Sequence, residues 1–201
     1  MPPCRPSPAV ALVALLLLTL AARAQPDVAT IVKESCAACH GEDGNSQAPT
    51  FPKLAGLQVE YLEKQLKDFL SGKRQSEVMA PAMAALKPSD VAGLAAYYAA
   101  QKPQPGQVGD AALAARGQQV FDDGNTASGV PACVGCHQPG GAGNERYPRL
   151  AGQHQAYAAE ELRQFRSGER NNDRAKIMRA VAARMTDEEI DAVVEYLAGL
   201  P

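Results

Sequence analysis

The chain has no tryptophan and only four phenylalanines among its 201 residues, which is little aromatic material for a hydrophobic core. Small domains bury a poor fraction of their surface, so two cores of about 80 residues each would need another large apolar component. The formal net charge is only −2, which makes nucleic acid an unfavourable partner. Hydrolytic triads, phosphate-binding loops and carboxylate pairs do not stand out either. The low net charge therefore disfavours nucleic-acid binding, and the missing motifs disfavour hydrolytic and phosphate-binding enzymes. The shortage of aromatic residues indicates a bound apolar cofactor.

Two copies of the pattern C-x-x-C-H are the most informative feature, at residues 36–40 and 133–137. Two thiols three positions apart on a helical turn can add to the two vinyl groups of one porphyrin, and the histidine that follows can bind the iron. A redox dithiol, a structural disulfide and a zinc site are the alternatives. Repetition of the whole pattern favours haem, and no further Cys or His is placed to complete a zinc site. We therefore predict two covalently bound haem c groups, attached through Cys36, Cys39, Cys133 and Cys136.

Residues 1–24 have the organisation of a signal peptide. Arg5 precedes the apolar run from Ala9 to Leu20, and Ala22-Arg23-Ala24 matches a cleavage site. The run is short for a transmembrane helix, which needs about 20 residues, but an uncleaved anchor stays open. Cleavage removes Cys4 and two arginines, which changes the net charge from −2 to −4. Export to the periplasm agrees with haem c, because bacteria attach this haem outside the cytoplasm.

The rest of the chain is an internal duplication. The segment from Phe51 to Gly56, FPKLAG, recurs as YPRLAG from Tyr147 to Gly152, 96 residues later. Apolar residues follow helical periodicity in both copies, and no segment alternates long enough for a convincing strand. We predict an all-α protein with a first domain at 25–102, a Pro-rich and fairly stiff linker at 103–109, and a second domain at 110–201.

The iron ligands follow from the motifs and the repeat. His40 and His137 are the predicted proximal ligands, because each directly follows a cysteine pair. Three additional residues after Arg170 bring Met79 into alignment with Met178. These two are the only methionines matched across the repeat, so we predict them as the distal ligands. A methionine ligand raises the reduction potential and fills the sixth position, which favours electron transfer over catalysis.

Other methionines, the third histidine and two matched prolines also need an interpretation. Met83 is the alternative distal ligand in the first domain, although Met83 and Met185 align with apolar positions and are typical of core methionines. His154 has no counterpart in the first half, and we expect it at the surface or at a helix start. The matched prolines, Pro52 and Pro148, are either loop residues or provide the carbonyl that accepts the second ring N–H of each proximal histidine. We state the carbonyl role as a hypothesis.

Residues 27–200 together resemble the di-haem cytochromes c4. The segments that carry this resemblance are Gly44–Ser46, Phe51–Gly56, Val130–Cys133, Gly152–His154 with Tyr157, and Ile177–Arg179. The resemblance implies two tandem class I cytochrome c domains with pseudo-two-fold symmetry and haems that approach through their propionate edges. It also implies Met79 and Met178 as distal ligands, although the segment between Arg74 and Met79 is shorter than is usual in the family.

The function predicted from these features is electron transport rather than enzymatic catalysis. The family resemblance implies a periplasmic carrier, often loosely associated with a membrane surface, that feeds a terminal oxidase. We expect a monomer that receives single electrons from a quinol-oxidising complex. A cytochrome subunit of a flavoprotein dehydrogenase is the alternative, and it would need a persistent interface. A peroxidase-like di-haem enzyme needs an iron with an open position, which paired methionine ligands disfavour.

Overall fold

The structure is a computed structural model that describes residues 27–201. The predicted signal peptide, and with it Cys4, lies outside the described residues. The described part is helical, as predicted, and within it strand-type pairing is limited to a single bridge between Asn125 and Val130. No helix within this range is long and apolar enough to cross a membrane.

Each half contains five α-helices within the described range. Those of the first half are α1 (Val28–Ile31), α2 (Ala37–His40), α3 (Val59–Leu70), α4 (Ala80–Ala85) and α5 (Val91–Ala99). Those of the second half are α6 (Ala111–Asp123), α7 (Val134–His137), α8 (Gln155–Ser167), α9 (Ile177–Ala182) and α10 (Asp187–Ala198). A π-helical turn, Val32–Cys36, joins α1 to α2, and short 3₁₀ turns are found at Pro88–Asp90, Pro139–Gly141 and Arg174–Lys176.

Side-chain caps fix where several helices begin. The sequence pattern Thr186-x-x-Glu189 is typical of a capping box, and α10 begins with one. Thr186 Oγ1 accepts from the Glu189 N–H at 3.2 Å, and Glu189 Oε2 accepts from the Thr186 N–H at 2.8 Å. The carboxylate of Asp110 accepts from the first backbone N–H groups of α6. Such bonds satisfy N–H groups that have no partner inside the helix. The caps therefore set where the first and last helices of the second half begin.

The first and last helices of each half cross at a glycine. Helices α6 and α10 cross at Gly117, where an added Cβ would lie 1.9 Å from the carbonyl oxygen of Ala192. Helices α1 and α5 cross at Gly93, where an added Cβ would meet a methyl group of Val28 at 2.6 Å. Glycine costs a helix about 1 kcal/mol relative to alanine, so its presence here reflects the close approach of two backbones. Each crossing holds together one small apolar core.

The two cores are separate, one in each half. Their buried members in the first half are Val32, Leu57, Leu62, Leu94, Ala95 and Tyr98. Those in the second half are Phe121, Val130, Ala159, Met185, Ile190, Val193, Val194 and Leu197. Both sets are small and poor in aromatic residues, as the composition predicts. Each core is therefore expected to need the additional large apolar component that the composition indicates.

The segment between α5 and α6 is bonded to both halves. The N–H of Gln104 donates to Asn45 Oδ1 at 2.9 Å, and the Asn45 side chain donates to the Lys102 carbonyl at 3.1 Å. The N–H of Gly106 donates to the Ala198 carbonyl at 2.8 Å. These bonds hold the connection in place, although the bounds assigned to the linker and the domains stay predictions.

We expect Gly117→Ala to destabilise the second half more than Gly93→Ala destabilises the first. The new methyl group at 117 must displace backbone, whereas at 93 it displaces the end of a side chain. Overpacking costs about 1–3 kcal/mol, and Gly117→Ala should lie at the upper end of this range. Urea unfolding of the haem-loaded variants measures both losses. Equal losses would contradict the role of the backbone contact.

Candidate functional site

A cavity of about 1700 Å³ is shared by the two halves. Its lining includes every residue predicted to attach or ligate haem: Cys36, Cys39, His40, Met79, Cys133, Cys136, His137 and Met178. The two predicted sites are therefore parts of one continuous space rather than two isolated pockets.

Each motif histidine is held by a proline carbonyl. Helix α2 ends at His40 and α7 ends at His137, and both side chains are buried, with 5% and 6% exposure. His40 Nδ1 lies 2.9 Å from the Pro52 carbonyl oxygen, and His137 Nδ1 lies 2.9 Å from that of Pro148. A carbonyl only accepts, so Nδ1 carries the proton and Nε2 keeps its lone pair. The hypothesis about the two prolines is confirmed.

Burial also controls the protonation of these imidazoles. Desolvation lowers the pKa of both His40 and His137, against the smaller opposing effect of the carbonyl hydrogen bonds. The neutral form is the one that binds a metal ion. Each histidine is therefore in the protonation state and tautomer that iron ligation requires.

The cysteines do not resemble a catalytic dithiol. None of the four described cysteines forms a disulfide, and each is partly buried. Desolvation raises the pKa of Cys36 and raises that of Cys133 to about 11. Redox-active C-x-x-C pairs instead have a lowered thiol pKa. Cys36 and Cys133 therefore lack the lowered pKa that is typical of a disulfide-exchange cysteine.

The described methionines occupy different environments. Met79 directly precedes α4, and Met178 lies in the first turn of α9. Met185 is 5% exposed in the core of the second half, as predicted. Met83, one turn after Met79, is only half-buried and lines the cavity. Met83 lies one helical turn from Met79 and also lines the cavity, so the choice between a core methionine and the alternative distal ligand stays a prediction.

The loop before Met178 has a support that the first half lacks. Asp173 accepts from the backbone N–H of Arg179 at 3.1 Å and from its Nε at 2.7 Å. In the repeat alignment Arg179 corresponds to Ala80, which cannot form such a pair. The shorter segment before Met79 is instead held by a bond from the Met79 N–H to Ser76 Oγ, at 3.3 Å. The two methionines are therefore positioned by different interactions.

A buried polar network lies where the halves meet at the cavity. Arg74 of the first half donates to Gln65 Oε1 at 2.8 Å in its own half. It also crosses the junction, donating to Tyr157 Oη at 3.2 Å and to Glu161 Oε1 at 2.5 Å. The side chains of Arg74 and Glu161 are 11% and 13% exposed. This ion pair is therefore largely removed from water.

Arg170, which follows Arg74 by 96 residues, makes the reciprocal contacts. It pairs with Glu161 in its own half and crosses to Tyr61 Oη at 3.1 Å and Gln65 Oε1 at 3.2 Å. The sequence shows the matched segments Ser71–Arg74 and Ser167–Arg170, which both read S-G-x-R. It does not show which residues of the opposite half the two arginines contact. The exchange of partners agrees with the predicted pseudo-two-fold relation between the halves.

Three arginines of the cavity wall, Arg74, Arg149 and Arg170, could face an anionic ligand group. Two buried guanidinium groups, those of Arg74 and Arg170, share the single carboxylate of Glu161. The Nε of Arg149, another residue of the lining, is buried and has no hydrogen-bond partner in the described structure. Leaving such a donor unpaired costs about 1–3 kcal/mol. The cavity therefore fits a porphyrin, because the propionate groups of a porphyrin are carboxylates and these arginines are cationic.

His154 lies outside the cavity lining, directly before α8, in agreement with the expected helix-start position. Its Nε2–H donates to the Ser46 carbonyl of the first half at 2.8 Å. Desolvation lowers its pKa, although the Ser46 hydrogen bond opposes this shift. The cross-domain contact was not predicted, because nothing in the sequence near His154 identifies Ser46 as its partner.

Comparison with known proteins agrees with this geometry. The family model described as cytochrome c matches residues 27–101 and again residues 114–201. The chain belongs to the cytochrome c family. Each half is one such domain, and the chain carries two covalently bound haem c groups, which supply one-electron redox chemistry. The haem prediction and the all-α tandem fold are confirmed.

The similar proteins include cytochromes c4 and electron acceptors of thiosulfate dehydrogenase. Cytochrome c4 of Pseudomonas aeruginosa is 45% identical over 197 residues, covering 94% of this chain and 98% of the relative. A thiosulfate dehydrogenase electron acceptor of Thiomonas intermedia is 39% identical over 171 residues, covering 83% and 79%. The crystal structure of reduced recombinant cytochrome c4 from Pseudomonas stutzeri has a TM-score of 0.79 and 44% identity, covering 83% of this chain and 93% of that one. The resemblance to cytochromes c4 is confirmed, and with it a di-haem electron-transfer function.

We expect Glu161→Gln to destabilise the haem-loaded protein by about 3 kcal/mol, because it leaves two buried guanidinium groups without their shared carboxylate. Chemical denaturation followed by circular dichroism measures the loss. The matched control is Glu160→Gln, which removes an exposed carboxylate at the adjacent position and should change stability by less than about 0.5 kcal/mol. Similar effects of the two substitutions would contradict the importance of the network.

Proposed function

We propose that this cytochrome is a periplasmic carrier that moves single electrons through a respiratory chain towards a terminal oxidase. The observation that carries the proposal is the shared cavity, in which each cysteine pair is accompanied by one buried histidine and one matched methionine. Two fully ligated irons exchange electrons without binding a substrate. Soluble monomers suit this role, in at most loose contact with a membrane surface.

The proposed roles follow the two halves of the repeat. In the first half Cys36 and Cys39 attach the haem, His40 is the proximal ligand and Met79 the distal one. In the second half the corresponding residues are Cys133, Cys136, His137 and Met178. The proline carbonyls hold each imidazole with Nε2 available for iron, and the methionine sulfur favours the ferrous state.

A dehydrogenase is the second candidate donor. Relatives named thiosulfate dehydrogenase electron acceptor, such as that of Thiomonas intermedia, favour this role over the predicted flavoprotein partner. The same two-haem architecture serves either donor. The two candidate roles differ in the protein that reduces the cytochrome.

Rapid-mixing kinetics can separate the two roles. The oxidised di-haem protein would be mixed with a quinol-oxidising complex and its quinol, or with thiosulfate dehydrogenase and thiosulfate. The reduced protein would be mixed with membranes that contain a terminal oxidase. Fast reduction by the quinol-oxidising complex and fast oxidation by the membranes support the proposal. Fast reduction by the dehydrogenase alone, without oxidation by the membranes, would contradict it in favour of the second role.

We expect Met79→Leu and Met178→Leu each to remove half of the sulfur-to-iron absorption band of the oxidised protein. Each substitution deletes one of two thioether ligands and opens one iron. Met83→Leu and Met185→Leu are the matched controls and should leave the band intact. Loss of half the band in Met83→Leu, with none in Met79→Leu, would assign the first distal ligand to Met83 instead.

A further inference from the structure

The peptide groups that hold the proximal histidines also bond to the opposite half. The Pro52–Lys53 peptide accepts from His40 Nδ1 through its carbonyl, and its N–H donates to Oε1 of Gln153 at 2.9 Å. Gln153 belongs to the second half. One planar peptide group therefore connects the imidazole of one half to the side-chain amide of the other.

The same arrangement occurs in the reverse direction. The Pro148–Arg149 peptide accepts from His137 Nδ1 through its carbonyl, and its N–H donates to Oε1 of Gln58 at 2.8 Å. Gln58 belongs to the first half. Each proximal histidine thus lies two hydrogen bonds away from a glutamine of the opposite domain.

Both glutamines are held at their two ends. Gln153 Nε2 donates to the Lys53 carbonyl at 3.0 Å, and Gln58 Nε2 donates to the Ala142 carbonyl at 2.9 Å. In each case Oε1 receives a backbone N–H, which only an oxygen can accept, so the orientation of the amide is determined. These are specific bidentate contacts rather than loose packing across the interface.

The two bonds of each peptide group reinforce each other. A peptide N–H that donates makes its own carbonyl oxygen a stronger acceptor, because hydrogen bonds in a chain polarise one another. A stronger acceptor at Nδ1–H makes the imidazole a more basic ligand. A more basic ligand stabilises ferric iron relative to ferrous iron and so lowers the reduction potential.

We propose that Gln58 and Gln153 are positioning residues that tune the two irons crosswise, each acting on the proximal histidine of the opposite domain. The proposal rests on the proposed role of His40 and His137 as iron ligands. Each reduction potential then contains a contribution that exists only while the two domains are docked.

The crosswise pattern makes the proposal testable. We expect Gln153→Leu to raise the potential of the first haem and to leave that of the second unchanged, while Gln58→Leu does the reverse. The shift should change the ratio of reduced to oxidised haem at a fixed potential on the order of twofold. Spectroelectrochemical titration measures both potentials, and the haem methyl NMR signals assign each potential to its half.

Two further variants and a second measurement complete the test. Gln155→Leu removes the same type of side chain two positions from Gln153, where it bonds to the Gln107 carbonyl instead, and should shift neither potential. Gln153→Glu keeps an acceptor oxygen and adds negative charge, so the first potential should stay at or below its original value. In the ferrous protein the NMR signal of the His40 Nδ1 proton should move upfield in Gln153→Leu, reporting a weaker hydrogen bond.

Failure of this proposal differs from failure of the ligand assignment. Equal shifts of both potentials, a shift in the haem of the same half, or no shift would overturn the crosswise role. Any of these could occur while the original protein keeps the spectrum of two histidine–methionine centres. A high-spin centre in the original protein would instead contradict the proposed ligands.

Discussion

A buried imidazole can present Nε2 to a metal only if the proton on Nδ1 has a partner, and both halves of this chain provide a proline carbonyl. The Pro52 and Pro148 carbonyls are each 2.9 Å from the histidine that ends the preceding motif helix. This bond fixes the distance between the C-x-x-C-H helix and the following loop. The loop in turn determines where α3 and α8 begin, and those helices supply the polar wall of the cavity. The local structure of each site therefore depends on one bond to a main-chain oxygen.

The same loops make the two domains one structure. The peptide after each proline is bonded to a glutamine of the opposite half, and Arg74 and Arg170 exchange partners across the junction. Arg170 is buried and the other groups are partly buried, so separating the halves would break these bonds and return the groups to water. Haem and interface are consequently coupled: the walls that bind the porphyrin are completed only when the domains are docked.

The sequence was sufficient for the features that depend on local pattern. The cysteine and histidine spacing, the duplication, the helical periodicity and the capping box at Thr186 each have a short-range physical cause, and each predicted the observed element. The cross-domain contacts were not predictable, because periodicity shows which face of a helix is apolar but not what it contacts. Gln58 and Gln153 occupy adjacent rather than equivalent positions of the repeat, so the alignment conceals their common role.

Duplication has not left two identical sites. Glu161 corresponds to the neutral Gln65, so the carboxylate that pairs with both guanidinium groups belongs to the second half. The pair of Asp173 and Arg179 supports only the loop before Met178. In the first half Gln58 alone bonds to both the Arg149 N–H and the Ala142 carbonyl. In the second half Gln153 bonds to the N–H and the carbonyl of Lys53. His154 adds a bond to the Ser46 carbonyl. Reduction potentials respond to nearby charge and to hydrogen bonds on the ligands. Two irons in unequal surroundings bind an electron with unequal strength, and this inequality is what gives an electron a preferred haem within a nearly symmetric molecule.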